Sequence, residues 1–345
     1  MTKLSFKTAS FLFGVILLWA LVIPLVGRSQ EQTIFVKGTQ IYTACGEPLV
    51  LRGVNEMFIW SGDQTGKSIL PEIAKTGANA VRLVWTTEGS AEALDSLINN
   101  CLNAQMIPIP ELHDATGNFT KLPQCLQYWA RPQIVKIIKK YERWIIVNIA
   151  NEVGGGMESD SKYLDEYKKA ITALRNAGLS VPLMIDAGGW GNNEKYVVNN
   201  GKALMAHDSL HNLLFSVHTY WGGDNQEKRL DSLISAMSRL NLPLIFAEGP
   251  QKAKTPQNCN ADFPYEYMIN RCQQERIGWL SWSWGAVNNG DCGSPNSVFD
   301  MTTDGKFGHW ATRFAEDICV SSPFSIRKTS EKPYSMVFGK CKTKD

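Results

Sequence analysis

The stretch Ile145-Ile146-Val147-Asn148-Ile149-Ala150-Asn151-Glu152 decides how this chain is read. Five of its first six residues are apolar, with β-branched Ile and Val in the majority, which marks a strand buried on both faces as in a parallel sheet. It ends on an amide beside a carboxylate, and the turn run Gly154-Gly155-Gly156 follows. A carboxylate in that position either caps a loop or is placed there for chemistry. The rest of the chain has to separate the two.

Working outward, similar apolar runs occur on both sides: Pro48–Val54, Ala80–Trp85, Met106–Leu112, Val181–Asp186, Leu213–Val217, Pro243–Ala247 and Gly278–Trp284. With Ile145–Ala150 they make eight. Between them lie amphipathic helices, one marked by Leu94, Leu97, Ile98 and Cys101, one by Leu164, Tyr167, Ile171 and Leu174, one by Leu230, Leu233, Ile234 and Met237. Pro132 opens another. Short extended runs from Thr33 onward precede the rhythm. The expected fold class is α/β: a (β/α)8 TIM barrel with a short N-terminal β lead-in. The rival, a doubly wound sheet, calls for a glycine-rich switch-point turn, and no Gly-x-Gly-x-x-Gly is present. Three segments are expected: residues 1–28 as leader, 33–330 as the catalytic barrel and 331–345 as a C-terminal tail.

Composition excludes some partners. There are 35 basic and 33 acidic side chains, and three of the basic ones lie in the first 28 residues, so the remainder is near neutral. No basic surplus is available for nucleic acid. Eleven Trp and ten Tyr supply aromatic surface of the kind that binds sugar rings, although Trp also fills cores. Lys3 and Lys7 ahead of the apolar run 9–26 form a secretory signal or an uncleaved membrane anchor, so the chain is expected outside the cell, free or tethered. Eight cysteines without a C-x-x-C fit disulfides in an exported protein, and Cys101–Cys125 and Cys319–Cys341 are the pairings expected, with Cys341 pinning the tail. No metal-ligand motif or cofactor fingerprint occurs, so neither metal nor cofactor is expected. A monomer is expected.

In a barrel the chemistry sits where strands end at their C-terminal side. Those ends here carry Asn55-Glu56, Arg82, His113, Asn151-Glu152, Asp186 followed by Trp190, His218 and Tyr220, Glu248, and Trp282 with Trp284. Each alone has an ordinary structural reading, as a buried ion pair, a core histidine or a strand residue; their convergence on one rim makes the case. Glu152 and Glu248 end the fourth and seventh strands, so a barrel sets them across its mouth. Two carboxylates flanking a sugar bond are what glycoside hydrolysis needs, with retention if they stand about 5 Å apart.

The chain resembles glycoside hydrolase family 5. The segments that carry the resemblance are RGVN at 52–55, TGANAVRLVW at 76–85, LHDATG at 112–117, VNIANE at 147–152, RNAGL at 175–179, LMIDAGGWG at 183–191, FSVHTY at 215–220, FAEG at 246–249 and GWLSWSWG at 278–285, all in family order. The pattern is most similar to the bacterial endo-β-1,4-mannanases. The resemblance implies Glu152 as acid/base and Glu248 as nucleophile. It implies Arg82, His113, Asn151, His218 and Tyr220 around the sugar being cleaved, Trp282 as a stacking residue and Trp190 as a cleft wall; Trp284 is grouped with them as substrate-binding. The implied partner is a polysaccharide: β-mannan, glucomannan or β-glucan. Where a histidine-rich run commonly follows RGVN, this chain has Glu56-Met57-Phe58-Ile59. Substrate choice stays open at this point between mannan and glucan, with a non-catalytic polysaccharide-binding protein as the alternative of another class.

Overall fold

Eight parallel strands close on themselves in the computed structural model, which describes residues 1–2, 32–250, 252–254, 260–287 and 299–342. They are β1 (Arg52–Glu56), β2 (Ala80–Trp85), β3 (Ile107–Leu112), β4 (Val147–Asn148), β5 (Leu183–Asp186), β6 (Leu213–His218), β7 (Leu244–Glu248) and β8 (Gly278–Ser281). Each pairs with its neighbours in sequence, and β8 pairs with β1 through Trp279 opposite Arg52 to complete the ring. Helices such as Ala91–Asn103, Asp160–Asn176 and Gln226–Leu240 connect the strands. The TIM barrel read from the strand–helix rhythm is the observed fold.

Side-chain alternation along each strand builds two separate layers. On β2, Val81, Leu83 and Trp85 join the cluster shared with the helices, while Ala80 joins the one inside the barrel. Arg82 follows Ala80 by two and is buried with it. The same step recurs from Ile109 to Glu111, Ile146 to Asn148, Met184 to Asp186 and Leu214 to Ser216. The lower interior is therefore aliphatic, and the layer above it, at the C-terminal ends, is polar.

Two expected strands end differently. Pro48–Leu49 is not part of the barrel; it pairs with Gln40–Tyr42, which pairs with Phe35–Lys37, in a small antiparallel sheet. Ile34, Ile41, Leu49 and Leu51 from this lead-in pack against Ile107, Ile146, Met184, Leu214 and Ile245, so the sheet plugs the lower end. The eighth strand stops at Ser281, short of Trp284.

The expected pairings Cys101–Cys125 and Cys319–Cys341 are corrected. Cys101, Cys125, Cys272 and Cys319 are buried free thiols, and the disulfide among the described residues is Cys45–Cys341. Cys101, Cys125 and Cys319 sit at core positions of their helical segments, where a small apolar side chain packs well. Cys341 does pin the tail, but to the lead-in sheet's last turn. Cys259 and Cys292 lie outside the described residues, as does the leader apart from its first two residues. Among the described residues no helix is long and apolar enough to cross a membrane.

Candidate active site

Arg82 organises the polar layer at the top of the barrel. Its fully buried guanidinium donates from Nε to Asn148 Oδ1 at 2.8 Å, from Nη1 to Asn55 Oδ1 at 3.1 Å and Glu248 Oε1 at 2.7 Å, and from Nη2 to Asn151 Oδ1 at 2.7 Å. Glu111 and Asp186 carboxylates stand 3.8 Å and 3.5 Å away. Burial works against this cation, yet Glu111, Glu248 and Asp186 together hold its pKa above the ordinary arginine value. Six strands contribute to this one network.

Glu248 reaches the cleft through an irregularity. Three residue steps on β7, from Ile245 to Glu248, span only two on β6, from Ser216 to His218. This bulge breaks the alternation that would have followed inward Ala247, and it re-aims the next side chain. The Glu248 carboxyl is then held at both oxygens, by Arg82 and by the Tyr220 hydroxyl, which donates to Oε2 at 2.8 Å. Burial raises its pKa to about 7, with Arg82, His113 and Tyr220 opposing.

Glu152 is turned by its backbone. It lies just past β4 with φ +45°, a left-handed conformation that non-glycine residues adopt at a cost and that clusters at functional sites. Its N–H donates to Asp186 Oδ2 at 3.1 Å, and its carbonyl accepts from Gly117 N–H at 2.8 Å. Those contacts fix the unfavourable turn from both sides. Its side chain meets His218 Nδ1 at 2.6 Å through Oε1. Burial first, then the Glu248 and Asp186 charges, push the Glu152 carboxyl well above the carboxylate range. Burial and Arg82 push His218 well below the usual histidine value, so the imidazole is neutral and a hydrogen-bond partner rather than a second charge.

One oxygen of Glu152, one of Glu248 and a ring nitrogen of His218 all lie within 4.8 Å of one another. Such closeness is also what a metal site needs. Here the guanidinium on Glu248 already supplies the cation and opposes a second one.

Aromatic walls surround the pair. His113 accepts or donates at Glu111 Oε1 (2.9 Å), lies parallel to Trp282 with ring centres 5.9 Å apart and meets Trp60 edge-on at 5.5 Å. Trp282 is 4% exposed, with Met57, Val84 and Phe299 around it. Trp190 is 52% exposed. Its φ of +51° and the glycines beneath it, at 117 and 155, let the indole lie flat: a Cβ on Gly117 would stand 2.4 Å from its Nε1.

Of the ten residues singled out from the sequence, nine meet at this rim. Trp284 does not. It is fully buried behind the cleft, its Nε1 donating to Gly305 O at 2.8 Å and its ring set edge-on to Trp310. The strand expected to run to Trp284 ends at Ser281, so Trp284 falls on the segment beyond it. Sequence reading passed over Glu111, Asn148 and Thr116, which donors and acceptors of Arg82, His113 and Asn151 require. For Glu111 and Asn148 the signal was there: single polar residues inside otherwise apolar strands. Trp60, 51% exposed beside His113, also joins the rim and was not among the residues expected there.

A barrel rim with a buried carboxyl pair this close is the arrangement that glycoside hydrolysis uses. The chain belongs to glycosyl hydrolase family 5, whose cellulase model matches residues 42–288. It is similar to the mannan endo-1,4-β-mannosidase of Cellvibrio japonicus, 31% identical over 93% of this chain and 73% of that protein. It is similar to the enzyme of the same name from Salipaludibacillus agaradhaerens, 32% identical over 72% of this chain and 80% of that one. Among solved structures, a β-mannanase from Streptomyces thermolilacinus with mannohexaose superposes with a TM-score of 0.78, at 25% identity, covering 90% of this chain and 99% of that chain.

Proposed function

We propose that this protein is an exported, endo-acting, retaining hydrolase of β-mannan. The observation that carries the mechanism is the separation of the Glu152 and Glu248 oxygens, within 4.8 Å, which suits attack by a side chain rather than by water. The names of the curated relatives carry the mannan assignment.

The two carboxyls are held differently, and the roles in this reading follow from that. Arg82 and Tyr220 each donate to an oxygen of Glu248 and favour its charged form, whereas burial and the Glu248 charge push Glu152 upward, so the single proton is placed on Glu152. Glu248 attacks the anomeric carbon as the glycosidic bond breaks, and the leaving oxygen takes the Glu152 proton. Glycosylation removes the Glu248 charge. Glu152, now ionised and free of that repulsion, takes a proton from water, and the resulting hydroxide oxygen displaces Glu248 with net retention. Arg82 and Tyr220 keep one donor on each Glu248 oxygen throughout, which orients the attacking lone pair. Asn151, held to Arg82 and Thr116, presents its amide beside the same carbon in this reading. Trp190 and Trp60 offer open faces on which sugar rings stack.

The test is an activity panel on mannan, glucomannan, cellulose and xylan with the Glu248→Ala variant alongside. Mannan cleavage with retention at the new reducing end, lost by roughly 10⁴-fold or more in the folded variant, is the expected result. Activity in Glu248→Ala near that of the wild type would sink the mechanism. Faster cleavage of cellulose than of mannan would move the assignment to a β-glucanase with the same chemistry.

A further inference from the structure

The residue after RGVN does something the catalytic steps above leave unused. Glu56 is fully buried, and both its oxygens are taken by backbone N–H groups. Met57 donates to Oε1 at 2.9 Å; Gly285 and Ala286 donate to Oε2, each at 3.1 Å. One carboxyl therefore ties together the loops that follow β1 and β8. Both loops bear on Trp282. Met57 packs against it from one side, and Trp282 itself begins the segment that runs through Gly285 and Ala286.

Among the described residues, Asn55 also reaches the start of this segment, its Nδ2 donating to Leu280 O at 3.3 Å and Ser281 O at 3.2 Å. Trp284 N–H reaches Asn55 O at 2.8 Å, and the opposite edge pairs with residues 299–302. Gly285, at φ +96°, comes so close to that edge that a Cβ would stand 2.5 Å from Thr302 O. A side chain at 285 is thus excluded, and the hold must come from a neighbour's. Burying a carboxyl is costly, and here burial and the Asp300 charge raise its pKa to about 8 against the pull of the three N–H groups. An apolar residue would fill the same volume without that cost.

We propose that Glu56 is a positioning residue for the reaction: it latches the β8 loop to the end of β1 and so holds Trp282, and the His113 ring stacked on it, at the cleft. The inference rests on the glycosidase reading of the site, and its test separates the two. A double-mutant cycle compares wild type, Glu56→Gln, Trp282→Ala and the double variant in kcat and KM, on whichever polymer of the panel the wild type cleaves. Glu56→Gln is expected to lower kcat/KM on the order of 10-fold or more, since small misplacements at a reacting sugar are expensive. In the Trp282→Ala background the same change is expected to matter by less than about two-fold, because its target is gone. Losses that multiply overturn the proposal, as does an unaltered kcat/KM in Glu56→Gln.

Urea unfolding is read on every variant. Where Glu56→Gln or Trp282→Ala does not fold, Glu56→Asp and Trp282→Phe take their places. If Glu56→Asp also fails to fold, Glu56 supports the whole barrel and not one loop, and the proposal falls. A wild type without turnover on the panel counts against the enzyme reading alone. The cycle is then read on the Kd for mannohexaose and cellohexaose, where the same non-additivity is expected; no binding to either ends both readings.

Discussion

Arg52 and Arg82 are both wholly buried, on adjacent strands of one barrel, and they live in opposite surroundings. Arg52 sits at the lower end. Its donors go to neutral acceptors: Leu51 O at 3.0 Å, Ile277 O at 2.6 Å, Gln273 Oε1 at 3.0 Å and Thr329 Oγ1 at 3.3 Å. Burial without a carboxylate partner lowers its pKa to about 10. Arg82 sits at the upper end among Glu111, Asp186 and Glu248, which hold its pKa up. The first is a staple across the seam where β8 meets β1 and the C-terminal segment. The second is the counter-charge that lets several acids share a dry space. A buried arginine is thus not a site marker by itself; the sign of its partners decides.

That contrast can be broken by the same substitution at both places. Lysine keeps the charge but loses the planar fork. Arg82→Lys cannot serve Asn55, Asn148, Asn151 and Glu248 together, and kcat/KM should fall by about 10²–10³-fold, the scale of losing an oriented catalytic donor. Arg52→Lys should leave kcat/KM near the wild-type value and instead cost about 1–3 kcal/mol of stability in urea unfolding, from carbonyls left unpaired. Equal activity losses at the two positions would erase the distinction between staple and counter-charge.

The sequence made the upper end readable and the lower end hard. Polar residues at strand ends stand out against apolar runs, so Arg82, Glu152 and Glu248 could be named before any geometry was known. What was not readable depends on backbone detail. The bulge in β7 that aims Glu248 leaves no residue signature, and the left-handed turn at Glu152 falls on a residue type that does not favour it. Glu111 and Asn148 were hidden because their runs were read as apolar strands with exceptions, whereas every second residue defines one inward face. Trp284 was misplaced for the converse reason: the apolar run through Trp284 reads as one strand, and the strand stops at Ser281. At the lower end, pairings among cysteines are set by which loops come to lie side by side. The partner of Cys341 is 296 residues away, beyond the reach of any spacing argument.

That disulfide sharpens the comparison as the next largest effect. Cys45 lies in the lead-in that plugs the bottom of the barrel, and the tail helix Tyr334–Phe338 docks nearby through Ser335, which bonds to Glu47. Cys45→Ser should lower stability by about 2–4 kcal/mol, chiefly by releasing the unfolded chain from a long closed loop. A reducing agent should bring the wild type to the same unfolding midpoint while leaving kcat/KM unchanged. A fall in kcat/KM on reduction, at a temperature where the protein stays folded, would show that the lower end is coupled to the upper.

The smallest effect concerns what the upper end costs the fold. Glu248 has a folded-state pKa raised to about 7 from an ordinary 4.5, chiefly by burial. A carboxyl raised in this way binds its proton more tightly when folded, so its contribution to stability is fully present below the unfolded pKa and is lost as pH rises through about 7. Glu152 is raised in the same direction by burial and by the Glu248 and Asp186 charges, so it adds a slope of the same sign in both proteins, and the comparison reads the Glu248 contribution. Glu248→Gln keeps the shape and has nothing to ionise. Relative to the wild type it should therefore gain nothing near pH 4, gain progressively between pH 4.5 and 7, and level off about 1–3 kcal/mol more stable near pH 8. Urea unfolding of both proteins at several pH values reads this directly. Were Glu248→Gln instead to lose stability as pH rises, Arg82 and Tyr220 would outweigh burial at this carboxylate. The catalytic end would then be held together by its charges in the same sense as the floor is by its staple.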